Sequence, residues 1–285
     1  MTAIGLAVLA LMVGVTAQMQ TAPNAPLPDA QELKRRVMAS MKASEKNLEN
    51  YSCIVQDQIH ELNPDGSVKK HRSSMKEQFF VNGVEIDHTL EKDGKPLTPG
   101  DAKKEQEHVD KEVKKYSDPK EADKSKTRDE KEVDLFLRAL RLSNGSRVTR
   151  EGRSTLVYDL SGDPAFHPKK VEERFAEALN GRIWIDEQSG MPVEVRFETT
   201  KDVKIGGGLL ANLHKGFWLH LVQQREPDGV WITKSVDGSG DARAALFVHA
   251  RFRFSEQLDK CHLFSVNTQQ NVQPPAESPA PESEK

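Results

Sequence analysis

The groups best suited to chemistry in this chain are nine histidines and two cysteines. His60-Glu61 begins like the H-E-x-x-H zinc-hydrolase helix, but position 64 is Pro64 and no second histidine follows in register. His214 and His220 match no usual ligand spacing, and His249 falls on the polar side of an alternating run, where a histidine is ordinarily a surface group. Gly206-Gly207-Gly208 carries no G-x-x-x-x-G-K-[ST] pattern, so it marks a broken strand or a close backbone approach. Gly238-Ser239-Gly240 lacks the spacing of a hydrolase nucleophile elbow. Asp186 and Glu187 end a strand at a turn, where acids are ordinary. These residues assemble no nucleophile, acid–base pair, metal site or cofactor cradle, and the expectation is a non-catalytic protein without metal or cofactor.

Cys53 and Cys261 form no C-x-x-C pair, which sets aside zinc and thiol-redox chemistry. Each belongs to a strand or strand end. They meet only if the sheet curls or a terminus crosses over. A disulfide Cys53–Cys261 and two buried free thiols both stay open.

The elements that must position these groups follow from periodicity. Asp29 and Glu32 match a capping box, and Leu33, Val37, Met41 and Leu48 recur on one helical face. Tyr51 to Leu62 and Val68 to Val81 flank Asn63-Pro64-Asp65-Gly66, a turn sequence, and Asn82-Gly83 leads into a third strand from Val84. From Asp101 to Glu132 the chain holds 11 acidic and 10 basic residues in 32. Val109, Val113 and Tyr116 give it only a thin apolar stripe, as in a solvated helix laced by i,i+4 pairs. Val133, Phe136, Leu137 and Leu140 mark a shorter, better-buried helix, and Lys169 to Leu179 another.

From Gly152 onward strands dominate. Val193, Val195 and Phe197 alternate with Glu194, Arg196 and Glu198. Leu246, Val248, Ala250, Phe252 and Phe254 alternate with Phe247, His249, Arg251 and Arg253. A period of two places one face inward and one in water. The sum is an α+β fold: nine or ten antiparallel strands in one strongly curved sheet, an open half-barrel, with amphipathic helices covering its concave face.

The ends of the 285-residue chain differ from its middle. Ile4 to Val15 is an uncharged apolar run ending in small residues, so residues 1–17 are expected to be a secretory signal cut after Ala17. Residues 18–28, with three prolines, are a linker, and 267–285 a disordered tail rich in Pro and Glu. A single domain then spans 29–266, with a charged helical insert at 98–132. The balance of 41 Lys+Arg against 44 Asp+Glu, net −3, excludes a general nucleic-acid binder.

Gly181-Arg182-Ile183-Trp184-Ile185-Asp186-Glu187-Gln188-Ser189-Gly190-Met191-Pro192 resembles a hairpin of the outer-membrane lipoprotein-sorting (LolA-like) proteins. There a strand carrying Trp-hydrophobic-Asp enters a Ser/Thr-Gly-x-Pro turn. The export signal, the first amphipathic helix and Tyr51-Ser52-Cys53 opening the first strand fit the same context. Asp93-Gly94-Lys95-Pro96-Leu97 and Gln223-Gln224-Arg225 to Val230-Trp231-Ile232 match an uncharacterised bacterial branch. The resemblance implies a half-barrel closed by helices around an apolar cavity, in the periplasm. Its best-known members carry lipoprotein acyl chains, and a related branch senses envelope stress by binding an anti-sigma factor. On that basis the chain is expected to be a periplasmic acyl-chain carrier making only transient membrane contact. Val193, Val195, Phe197, Leu246, Val248, Phe252 and Phe254 would form its cavity wall. The alternative is an interaction module of the same fold with an envelope protein partner.

Overall fold

Asp29 starts the first helix, α1 (Ala30–Leu48), by accepting hydrogen bonds from the N–H groups of Gln31 and Glu32. Only this half of the expected capping box forms, because the Glu32 carboxylate turns to Arg35 instead. The structure, a computed structural model, describes residues 25–205, 211–244 and 248–263. The export signal at 1–17, most of the linker, Gly206-Gly207-Gly208, Leu246 and the tail at 267–285 therefore lie outside the described residues. No helix among the described residues is long and apolar enough to cross a membrane.

Three strands follow as the turn signals require: β1 (Tyr51–Leu62), β2 (Val68–Val81) and β3 (Val84–Lys92), with a short return, β4 (Lys95–Pro96). The left-handed residues of the joining turns are Gly66, Asn82, Gly83, Asp93 and Gly94, types that tolerate positive φ. The charged insert is not one helix but two. α2 (Pro99–Tyr116) ends at Ser117, and Asp118 caps α3 (Pro119–Ala139) with a proline in its first turn. The Asp-Pro pair stops one helix and starts the next. α3 absorbs the separate short helix expected around Phe136. Leu140 is not helical and opens β5 (Leu140–Arg150), a strand the periodicity did not reveal.

The remaining elements are β6 (Arg153–Gly162), α4 (Val171–Glu177), β7 (Leu179–Asp186), β8 (Pro192–Thr199), β9 (Val203–Ile205), β10 (Ala211–Leu213), β11 (Trp218–Arg225), β12 (Trp231–Ala244) and β13 (Val248–Leu263). Leu179, expected at a helix end, starts β7 instead. The sheet is antiparallel throughout, in the order β4-β3-β2-β1-β13-β12-β11-β8-β7-β6-β5, with β10 and β9 branching from β12. Its outer strands β4 and β5 do not pair, so the sheet is not closed. The last strand is not an edge. β13 lies between β1 and β12, along the full length of β1, and joins the N-terminal strands to the rest. No curling is needed to bring Cys53 to Cys261: they face each other across β1 and β13 and are disulfide-bonded.

The main core lies on one face of β5–β8. Leu156, Tyr158, Leu160, Ile183 and Ile185 pack there with Leu33 and Val37 of α1, Ala139 of α3 and Ala176 of α4. Full burial of Leu33, Leu156 and Ile185 contributes about 1.5–3 kcal/mol per side chain. A satellite core forms around Tyr51, Cys53 and Val55 with Val230 and Leu258.

Candidate functional site

Cross-strand register identifies which residues share the core's face. Ile183 pairs with Val195, Val195 with Leu221, Phe197 with Leu219, Leu219 with Gly238, and Gly238 with Phe254. Directly paired residues of antiparallel strands point to the same side. Val195 and Phe197 therefore belong to the core face, and both pack against the core cluster. Phe252 and Phe254 lie on the same face farther along. Val193 does not continue the stripe. The register shifts between Trp184 and Ile185, so that Ile185 pairs with Pro192. This irregularity re-aims Val193, which borders a polar recess of about 330 Å³ with Arg153, Thr155 and Asp186. Val248 opens β13 opposite Ala244, and only its backbone is described.

An aromatic row crosses this face. Phe136 contacts Phe175 of α4, and Phe175 stands edge-on to Phe197 at 5.8 Å. From there the ring centroids step Phe197–Phe217 6.3 Å, Phe217–Phe252 6.4 Å and Phe252–Phe254 6.4 Å. The row starts against the packed core and runs out over β12 and β13, with all of its rings partly buried. Gly238 and Gly240 make it possible. A Cβ at Gly238 would sit 2.4 Å from the Phe254 ring, and one at Gly240 2.8 Å from Phe217. The G-x-G of β12 is thus a bed on which phenyl rings lie flat. Glycines two apart in a strand signal close approach, and that was the available clue.

Past Phe254 the same face becomes charged. Glu256 lies opposite Asp57, and Lys76 bridges Asp57 at 2.9 Å and Asp87 at 2.8 Å. Burial alone would lower the Lys76 pKa, but the two carboxylates outweigh it and hold the ammonium charged. Glu85 keeps solvent access along its side chain. Its carboxyl is nonetheless pushed up to about 7, first by desolvation and then by Asp87 and Glu256. Glu256 is raised for the same reasons, with Asp57 and Asp87 as the repelling charges. Asp57 and Asp87 thus share one ammonium, with Glu85 and Glu256 nearby, and Ile59, 47% exposed, stands between Phe254 and Arg72 in the sheet.

The opposite face is polar but not uniformly wet. Glu194, expected in water, is 3% exposed because Arg150, Arg196 and His220 surround its carboxylate. Its pKa is lowered although burial acts to raise it, since the Arg150 hydrogen bond and charge prevail, helped by His220 and Arg196. The hairpin that carried the family resemblance proves structural. Asp186 accepts from the backbone and hydroxyl of Ser189 inside its own turn and takes both arms of Arg153 at 2.6 and 2.8 Å. Gly190 holds a positive φ against Arg36 of α1.

Comparison with known proteins adds little to this geometry. No protein-family model and no curated protein matches the chain. A solved structure described as "Crystal structure of MucB in complex with MucA(peri)" is similar at 10% sequence identity over 81% of this chain and 94% of that one, with a TM-score of 0.22. Overlap at that level carries no functional argument.

Proposed function

We propose that this protein is a non-catalytic interaction module of an oxidising envelope compartment, and that its aromatic row and neighbouring carboxylates receive an apolar, basic segment of a partner protein. The observation that carries the reading is the row itself. It runs from the packed core at Phe197 through the partly buried Phe252 and Phe254 and ends beside Lys76 and its two carboxylates, Asp57 and Asp87, with Glu256 opposite Asp57. Apolar anchors next to charges of one sign favour a ligand that combines apolar side chains with the opposite sign. The Cys53–Cys261 bond supports a periplasmic or other exported setting, where disulfides persist.

Acyl-chain carriage is the second reading, favoured by the unbroken line of rings on which a chain could lie. It is weaker because Val195 and Phe197 are used in packing and because carboxylates repel the headgroup of a fatty acid. The two readings separate by titrating the full chain with a fluorescent fatty acid and with an amphipathic peptide bearing lysines along one side. The interaction reading expects peptide binding that weakens with salt. In Phe252→Ala/Phe254→Ala it should fall at least about tenfold, or ~1.4 kcal/mol. Fatty-acid binding without peptide binding would replace this reading by carriage. Binding of neither would remove both.

A further inference from the structure

On the face opposite the aromatic row, three strands bring together side chains that lie far apart in sequence. His214 follows β10, Asp241 lies in β12 and His249 in β13. One ligand atom from each falls within 4.8 Å of the other two. The imidazoles of His214 and His249 are parallel to within 4°, with centroids 6.5 Å apart. His214 Nε2 lies 4.0 Å from Asp241 Oδ1, too far for a hydrogen bond and close enough for both atoms to approach one ion.

The surroundings are organised in the way a metal site requires. The other nitrogen of His214, Nδ1, lies 3.3 Å from Asp202 Oδ2. When Nδ1 donates to Asp202 rather than accepting from Asn212 Nδ2, which is also at 3.3 Å, Nε2 keeps its lone pair for a ligand. Asp202 is itself held by Asn212 Nδ2 at 3.0 Å and the Lys215 N–H at 2.9 Å. Asp241 uses one oxygen only: Oδ2 accepts from Arg251 Nε at 2.7 Å, whereas Oδ1 is buried and accepts no hydrogen bond. A buried carboxylate oxygen without a donor is costly unless a cation or water completes it.

We infer that His214, Asp241 and His249 form a binding site for a divalent transition metal of the zinc type, with Asp202 as the positioning residue behind His214. Two imidazoles and a carboxylate are borderline ligands that suit zinc, and three protein ligands leave a fourth position for water. Arg251 and Arg243, on the same face, oppose a second positive charge and weaken the site. The ion would tie the short β10 branch to the β12–β13 pair. Sequence spacing conceals the site, because the register of three strands creates it.

The test uses the full chain without an affinity tag. Zinc is titrated by calorimetry against a chromogenic chelator, and cobalt is used as a spectroscopic probe. The site predicts one equivalent of metal, visible cobalt bands of four-coordinate intensity, and a thermal midpoint that rises with zinc. His249 is exposed, so His249→Ala should stay folded by far-UV circular dichroism and lose metal binding at least a hundredfold. Asp241→Asn should lose it comparably, and Asp202→Asn about tenfold, as expected of a group that only orients a ligand. His60 and His71 stack at 4.6 Å elsewhere on the sheet, and His60→Ala should leave binding unchanged. Less than half an equivalent of metal in the wild type overturns the inference. So does binding that survives His249→Ala or disappears with His60→Ala.

Discussion

One face of a single sheet is used in two different ways. Over β5–β8 it is covered by α1, the end of α3 and α4, and its side chains are Leu, Ile and Tyr with almost no exposure. Over β1–β3 and β13 the same face carries Lys76 among four carboxylates, a small satellite core and the Cys53–Cys261 bond. The first half holds together by removing apolar area from water. The second buries less apolar area on this face and adds covalent and ionic links, while Ile86 of β3, Val109 of α2 and Ala122 of α3 are also buried. A sheet can therefore be continuous in hydrogen bonding while its stability is divided between regions of different kinds.

The largest test of this division is the disulfide. The bond spans 208 residues, and Cys53→Ser/Cys261→Ser should lower unfolding free energy by up to about 5 kcal/mol in the chain-entropy model. Equilibrium urea unfolding measures the loss. Hydrogen exchange should place the extra opening in β1–β3 and β13 and spare β6 and β7. Uniform loosening would mean that the two regions are one cooperative unit.

Next comes the packed half. Leu156 is fully buried, and Leu156→Ala should cost about 3 kcal/mol through lost transfer energy and the cavity left behind. The exposed Ile59 provides the contrast, since Ile59→Ala should change stability by less than about 0.5 kcal/mol. Equal costs at both sites would contradict the assignment of the core to one half.

A smaller effect is expected at Lys76. Lys76→Met leaves Asp57 and Asp87 facing each other without their shared cation. It should cost about 2 kcal/mol, less than for a fully buried pair because Asp87 keeps 38% of its side-chain surface. Adding Asp87→Asn should recover part of the loss. A double variant no better than the single one would show that the lysine acts by packing and not by charge.

The smallest effect concerns Glu85 and pH. Its carboxyl in the folded protein keeps its proton up to about pH 7, whereas in the unfolded chain it titrates near about 4.3. Between those values the native state binds more protons, so stability falls as pH rises through this window. Glu85→Gln should match the wild type at pH 4 and exceed it slightly at pH 8, because the side chain's access to solvent keeps the difference small. Urea midpoints at the two pH values decide it, and parallel pH profiles would set aside the role of Glu85.

Much of the local structure was legible in the residues. The ends of β1 and β2, the Asn63–Gly66 turn and the hairpin at Asn82-Gly83 coincide with their sequence signals, because turn chemistry and period-two alternation act over a few residues. The Asp118-Pro119 break was equally visible in principle, but a continuous run of charges concealed it. β5 escaped because Leu140, Leu142, Asn144-Gly145 and Val148 alternate only on either side of an irregularity between Ser143 and Ser146. Of the candidate wall residues, Val195, Phe197, Phe252 and Phe254 share one face as their spacing implies. Val193 leaves it at a register shift that no spacing announces.

What the sequence determined by itself was the class of each segment and the face of each strand, since these depend on side-chain chemistry and on the backbone periods of 2 and 3.6. Strand order and register lay beyond it. They are set by which long-range pairings bury the most apolar area and satisfy the most backbone groups together, a property of the whole chain. Only the tertiary structure placed β13 beside β1, bonded Cys53 to Cys261, laid three phenyl rings over Gly238 and Gly240, and drew His214, Asp241 and His249 to one point on the opposite face.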